Sequence, residues 1–185
     1  LRRSENVMAT NYIDVPIGPA IVEFGSTEPI VFDITKGGVV FSVETSVQDI
    51  TVDQYGDTPV KTILKGRAAQ VKIPLAEYDL ERISQVMPDS ELVTDSADAQ
   101  KKKLIVKANA GFNVMTLADK LVIKPTDPNS TVNDYITIPL AAPMADIEST
   151  YDSDNVRIYN VTFKAYVDKD NGNQLFILGD ETATA

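Results

Sequence analysis

The chain has no cysteine, no histidine and no tryptophan among its 185 residues. Without cysteine there are no disulfides and no thiolate chemistry, and without histidine the usual zinc, copper and haem ligands are missing too. Every imidazole-based nucleophile relay goes with them, as does the commonest general base near neutral pH. An enzyme built from this chain would be left with carboxylate, lysine or tyrosine chemistry. No run of 18 apolar residues occurs, so no segment reads as a membrane-spanning helix. Residues 1–6 lack the apolar stretch of a secretory signal, so no leader is expected there, and the initial Leu1 is what a trimmed or processed chain would show.

Positive charge is scarce as well. Lys and Arg number 17 against 27 Asp and Glu, for a net charge of −10. An acidic chain is poorly suited to holding nucleic acid, because that affinity comes largely from Lys and Arg displacing condensed counterions. The ordinary meaning of such a charge is solubility. The length suits one domain with a core large enough to need no staples.

What is present is a succession of short alternating runs. Residues 1–11 are polar and are expected to form a flexible arm. Residues 20–24 and 29–32 read as strands broken at Gly25-Ser26. After Gly37-Gly38, Val39, Phe41 and Val43 face one way and Val40, Ser42 and Glu44 the other, the period of a half-buried strand. The run 47–53 is read as a separate strand with Ile50 and Val52 opposite Asp49, Thr51 and Asp53. Tyr55, Gly56, Asp57, Thr58 and Pro59 form a loop, with Pro59 discouraging a ladder. Residues 60–64 and 67–75 are further strands. In the second, Ala69, Val71, Ile73 and Leu75 alternate with Ala68, Gln70 and Lys72.

The period then changes. Leu80, Ile83, Val86 and Met87 recur at helical spacing with Glu77, Asp79 and Glu81 in the opening turns, which predicts one α-helix over about residues 76–87, ended by Pro88. Residues 89–103, including Lys101-Lys102-Lys103, read as a solvated loop. Strands follow at 104–108, 120–124, 135–140, 156–167 and 174–178, the last two joined by a hairpin turn centred on Asn171-Gly172. Lys72-Ile-Pro-Leu-Ala76 and Thr137-Ile-Pro-Leu-Ala141 echo each other at two strand ends. No domain boundary interrupts residues 12–185.

The motifs that could carry chemistry fall short. Asp168-Lys-Asp-Asn-Gly-Asn173 opens like a calcium loop, but Gly172 stands at position five rather than six and Gly179 occupies position twelve, where a bidentate Glu belongs. Lys36-Gly37-Gly38 lacks the ending of a phosphate-binding loop. Asn129-Ser-Thr131 and Asn160-Val-Thr162 match a glycosylation acceptor without a secretory signal to make it usable. Acid pairs such as Asp152 and Asp154 suit glycoside hydrolysis in principle, but any acidic chain contains such pairs. No catalytic, metal or cofactor residue is assigned.

Pattern and order are more informative. Val47-Gln-Asp-Ile-Thr-Val-Asp-Gln-Tyr-Gly56, Thr58-Pro-Val60, Gly66 and Val71-Lys-Ile-Pro-Leu-Ala-Glu77 precede the helix body 80–87 and Pro88. Near the end, Asn171-Gly172 leads into Leu175-Phe-Ile-Leu-Gly179. Over most of residues 12–180 this order resembles the phage tail tube (major tail protein) family. The resemblance implies a mainly β, sandwich- or barrel-like subunit with one flanking helix. Its sheet edges would pair between subunits into rings of six that stack as a conduit for DNA delivery into the host. It implies a virion tail location, with host cytoplasm during assembly, and no enzyme activity or cofactor. The implied partners are further copies, a tape-measure protein, a tail terminator, baseplate or tail-tip proteins and a sheath protein. DNA would pass through without specific binding, and nothing would insert in a membrane.

On that reading Glu44, Asp49 and Asp53 are expected to face the lumen and repel phosphate. Val43, Ile50 and Val52 would pack on the subunit core. Tyr55, Gly56, Asp57, Thr58 and Pro59, with the arm 1–11, would clasp neighbouring rings. The tube of a bacterial contractile secretion or injection system is the second reading. A β-sandwich module for carbohydrate or a receptor is the third, disfavoured by the missing tryptophan although seven tyrosines remain.

Overall fold

The computed structural model describes residues 18–144 and 158–184. The expected arm 1–11 and the Asp152/Asp154 pair lie outside the described residues. The chain runs β1 (Ala20–Phe24), β2 (Ile30–Phe32), β3 (Val40–Thr51), β4 (Pro59–Leu75), α1 (Leu80–Val86), β5 (Ser90–Thr94), β6 (Lys102–Val106), β7 (Asp119–Pro125), β8 (Ile136–Met144), β9 (Tyr159–Ala165) and β10 (Ile177–Leu178). The mainly β class with one helix is as expected. All pairings are antiparallel, in one sheet ordered β2-β1-β7-β8-β9-β4-β3 with β10 added on β8, and a separate β5–β6 hairpin.

This sheet bends back on itself. Just past β2, Thr35 bridges Leu75 of β4. There the Lys36 amide donates to the Pro74 carbonyl at 3.1 Å and the Ala76 amide to Ile34 at 3.0 Å. The segment just past β2 is thereby joined to the C-terminal end of β4, drawing the two ends of the sequence β2-β1-β7-β8-β9-β4 together around the core. The interior confirms the curvature: Phe24 of β1 and Phe163 of β9 are three sheet positions apart, yet their ring centroids approach to 4.8 Å. Phe32 meets the same Phe163 ring at 6.2 Å. Around this aromatic centre Val22, Val71, Ile73, Leu121 and Ile138 are fully buried.

Pro139 and Pro59 follow the hydrogen-bond accounting. Asp119 pairs Ala141 and Leu121 pairs Ile138, so Pro139 falls in an irregularity of the β7–β8 ladder, where a residue without an N–H costs no bond. Pro59, expected to discourage a ladder, instead opens β4 and pairs with Thr51. First position in a strand is a place where proline is tolerated.

The helix is shorter than the expected 76–87. Residue 76 is still held to Ile34 by its amide, so the turn cannot begin until Asp79, whose carboxylate caps the Glu81 amide at 2.9 Å. Ile83 and Val86 are its buried face. Glu77 lies before the helix and holds Arg82 at 2.7 Å.

Residues 89–103 are not a loop. They supply all of β5 and the start of β6, which pair with Leu92 opposite Leu104. The Asp95 carboxylate accepts from the Ala97 and Asp98 amides in the turn between them. Several of the charges that suggest a loop are engaged across the hairpin, within its turn or with the helix. Lys102 meets Glu81 of α1 at 2.5 Å, Lys107 meets Glu91 at 2.9 Å, and Lys101 meets Asp98 at 3.5 Å. These contacts hold the Glu91 carboxyl below, and the Lys102 and Lys107 ammoniums above, their ordinary pKa values, each chiefly through the hydrogen bond to its partner.

The final turn also differs. Gly172 and Asn173 take the positive φ angles, and Asp168 bridges Gln174. The nearly buried Asp168 carboxylate accepts from the Asp170 amide and from Asn171 Nδ2, at 3.1 and 2.6 Å. The chain does not return along β9: β10 pairs with β8, continuing β9's line after this excursion. Phe176 is thereby brought edge-on to Phe41 at 5.3 Å.

Truncating the ring at the centre of the core, Phe163→Ala, is expected to cost about 3–5 kcal/mol of unfolding free energy in a denaturant titration. Val47→Ser, outside the closed core, is expected to change it by less than about 0.5 kcal/mol.

Candidate functional site

Strands of 12 and 17 residues are long for a chain of this size, and β3 and β4 exceed the body they belong to. Only the C-terminal part of β4, from Ala69 to Leu75, alternates between buried and less buried positions; everything before it is exposed. β9 pairs with β4 from Gln70 to Leu75 and no further. Residues 43–68 therefore form a two-stranded arm standing off the core. At about 3.3 Å per residue, the part of β4 not paired with β9 spans roughly 35 Å.

The two runs read as separate strands, 39–46 and 47–53, are one strand, as are 60–64 and 67–75. What separates them is an irregularity in β4 alone. Ser46 pairs Gly66 and Val47 pairs Leu64, leaving Lys65 as an extra residue; Ile50 pairs Lys61 and Thr51 pairs Pro59, leaving Val60 extra. Bulges of this kind bend a ribbon and increase its twist. The tip is a short 3-10 turn, Asp53–Tyr55, closed by Gly56 at φ 63°, a left-handed value that glycine accepts readily.

β3 itself is unbroken, so its side chains alternate strictly. Phe41, Val43, Thr45, Val47 and Asp49 share the face that continues the core side of the sheet; Ser42, Glu44, Ser46, Gln48 and Ile50 share the other. Of the expected lumen-facing acids, Glu44 and Asp49 thus lie on opposite local faces, and Asp53 lies beyond the strand in the tip turn. Asp49 accepts from Thr62 Oγ1 at 2.6 Å across the ladder. Nor do Val43, Ile50 and Val52 pack on the core: all three are exposed. Val43 has the inward parity and faces core residue Ala69 across the ladder, but lies on the edge strand at the margin of the core, and Ile50 has the outward parity. The loop Tyr55, Gly56, Asp57, Thr58 and Pro59 is at the arm's far end, with Tyr55 67% exposed.

The arm carries apolar residues that pattern reading did not single out. Val47 is 53% and Leu64 54% exposed, directly opposite each other on one face. Val60 and Ile63 are exposed as well. The clue was available in length: two runs far longer than ordinary strands flank one tight turn, more than a core of this size can cover. Such a ribbon has both edges open. β3 is the last strand of the sheet, and β4 before Gln70 has no second neighbour. Unpaired backbone donors and acceptors beside exposed valine and leucine are the features through which strands join other strands.

Among the described residues no group of three or more Asp and Glu gathers as a metal ligand set. No helix among them is long and apolar enough to cross a membrane. No protein-family model matches the chain, and no curated protein matches it.

Amide hydrogen exchange separates arm from core. In the isolated subunit Val47, Ile63 and Leu64 amides are expected to exchange at least about tenfold faster than those of Val71 and Ile73. Equal protection in the isolated subunit would mean that the arm folds onto the body.

Proposed function

We propose that this chain is a structural subunit of a viral tail tube, its copies joining edge to edge into rings that stack as a hollow conduit. The observation that carries the reading is the β3–β4 arm, a ribbon with two open backbone edges and an exposed Val47/Leu64 face, extending from an otherwise closed core. An isolated two-stranded ribbon is at best marginally stable in water. Its hydrogen-bonding edges and apolar side chains gain most when another copy covers them. In a ring the contact joins different surfaces on the two copies, the arm of one meeting another part of the next. Contacts of that kind propagate into rings or filaments instead of ending at a dimer.

The resemblance in residue order supplies the identity of the assembly; the arm supplies a physical reason for assembling. An acidic lumen made by Glu44, Asp49 and Asp53 together is not retained, because Glu44 and Asp49 diverge across the ribbon. The repulsion that would keep DNA moving is assigned instead to the net charge of −10, repeated with every copy.

Negative-stain microscopy and sedimentation velocity of the purified protein test this reading. Rings or tubes with a central channel are expected. Val47→Asp combined with Leu64→Asp is expected to weaken assembly by at least about tenfold while leaving the thermal midpoint of the subunit within about 2 °C, since both sites lie outside the core. A wild-type protein that stays monomeric at every concentration and ionic strength overturns the proposal.

A further inference from the structure

The turn after β9 holds a reactive pair of residues. Asn171 precedes Gly172, and no other asparagine in the sequence precedes a glycine. Glycine suits the turn because φ at Gly172 is 72°, a left-handed value that a side chain resists. Without a Cβ, its backbone nitrogen is also the least shielded neighbour an asparagine side chain can have. Both residues are exposed, and a Cβ placed on Gly172 would meet nothing within 4 Å. The turn is held by the Asp168 amide on the Gln174 carbonyl at 2.8 Å, the Asp170 amide on Asp168 Oδ1 at 3.1 Å, and Asn171 Nδ2 on Asp168 Oδ2 at 2.6 Å. The Gly172 N–H has no acceptor among the described residues.

We propose that Asn171 is a site of spontaneous covalent modification, in which its side-chain amide becomes a carboxylate that opposes Asp168. The Gly172 nitrogen forms a bond to Cγ of Asn171 and gives its proton to water. The Cγ–Nδ2 bond breaks, and Nδ2 takes a proton from water and leaves as ammonia. Water then opens the cyclic imide, at Cγ to leave an aspartate or at the backbone carbonyl to leave an isoaspartate. Overall, water is consumed, ammonia is released, and nothing is oxidised or reduced.

Asp168 decides what the conversion does to the fold. This residue is only 8% exposed, and its carboxylate accepts the side-chain N–H of Asn171. After conversion the donor has become an acceptor, and two carboxylates face each other at hydrogen-bonding distance. A nearly buried acceptor loses its donor and gains a like charge, and both changes are unfavourable. The isoaspartate also lengthens the backbone inside a turn closed by the Asp168–Gln174 bridge. Beyond that turn Leu175 and Phe176 pack against the core, Phe176 meets Phe41 edge-on, and Ile177 and Leu178 pair with β8. So short a strand relies on the turn that delivers it, and a turn under repulsion loosens the segment behind it. The inference concerns the chain of one subunit and is independent of tube assembly.

Incubation of the folded protein in mildly alkaline buffer, followed by peptide mass spectrometry and isoaspartate methyltransferase labelling, tests the proposal. Fragment ions separate Asn171 from Asn173. Asn171 is expected to exchange NH2 for OH at least about tenfold faster than any other asparagine, since its neighbour alone lacks a Cβ. Asn171→Gln, which would have to close a larger ring, is expected to abolish the conversion. Asn171→Asp copies one product and is expected to lower the thermal midpoint by about 2–4 °C. Exchanging the pair, Asp168→Asn with Asn171→Asp, restores one donor and one acceptor and is expected to recover that loss. In converted protein the Ile177 and Leu178 amides are expected to exchange faster than in Asn171→Gln. An Asn171 that keeps its amide, or converts no faster than the other asparagines, overturns the proposal. A midpoint unchanged in Asn171→Asp, or no recovery on exchanging the pair, overturns the opposition to Asp168.

Discussion

One continuous strand serves two environments. The C-terminal half of β4 is clamped between β9 and the segment that closes the sheet, with Val71 and Ile73 in the core; its N-terminal half is solvent on every side but one. Because the β3–β4 ladder runs through without a break, the orientation of the arm is inherited from the core. The footing of the arm is the ladder of β4 with β9 from Gln70 to Leu75, reinforced by the bridge of Leu75 to Thr35. A loop of the same length would carry the same side chains but not their direction.

This arrangement inverts the usual management of sheet edges. The body draws its end strands together by bending, and it satisfies nearly every strand around Phe24, Phe32 and Phe163. The arm leaves its edges open and places valine, isoleucine and leucine beside them. Bulges at Lys65 and Val60 twist the ribbon, which limits indiscriminate flat stacking while leaving the edges available to a partner of matching twist. The satellite β5–β6 hairpin follows the opposite strategy, anchored to α1 by the Lys102–Glu81 pair and charged on its exposed positions.

Where alternation met a covered face, the elements were legible. Val71, Ile73 and Leu75, or Val161 and Phe163, have a period that only a half-buried strand explains, and they are core. The helix was visible in Leu80, Ile83 and Val86, and its start was misplaced because Ala76 is still spent on a ladder bond to a residue far away in sequence. The β5–β6 hairpin was hidden because its short strands carry charges whose partners, Glu81 and Glu91, cannot be matched by pattern alone. For residues 47–53, a polar–apolar alternation predicts a covered apolar side. In the arm the same alternation occurs with neither side covered by the subunit, and Ile50 and Val52 remain exposed.

Composition and local order alone were enough to establish a mainly β chain with a single helix, free of thiol and imidazole chemistry, and with strands flanking a loop around Gly56. These follow from residue type and near-neighbour period, which are properties of a chain segment. Which strands meet, that the sheet closes through Thr35 and Leu75, that β10 joins β8, and that residues 43–68 stand clear of the core were decided by the fold. Each depends on contacts between residues far apart in sequence, and burial is a property of the whole packed chain that no local period encodes.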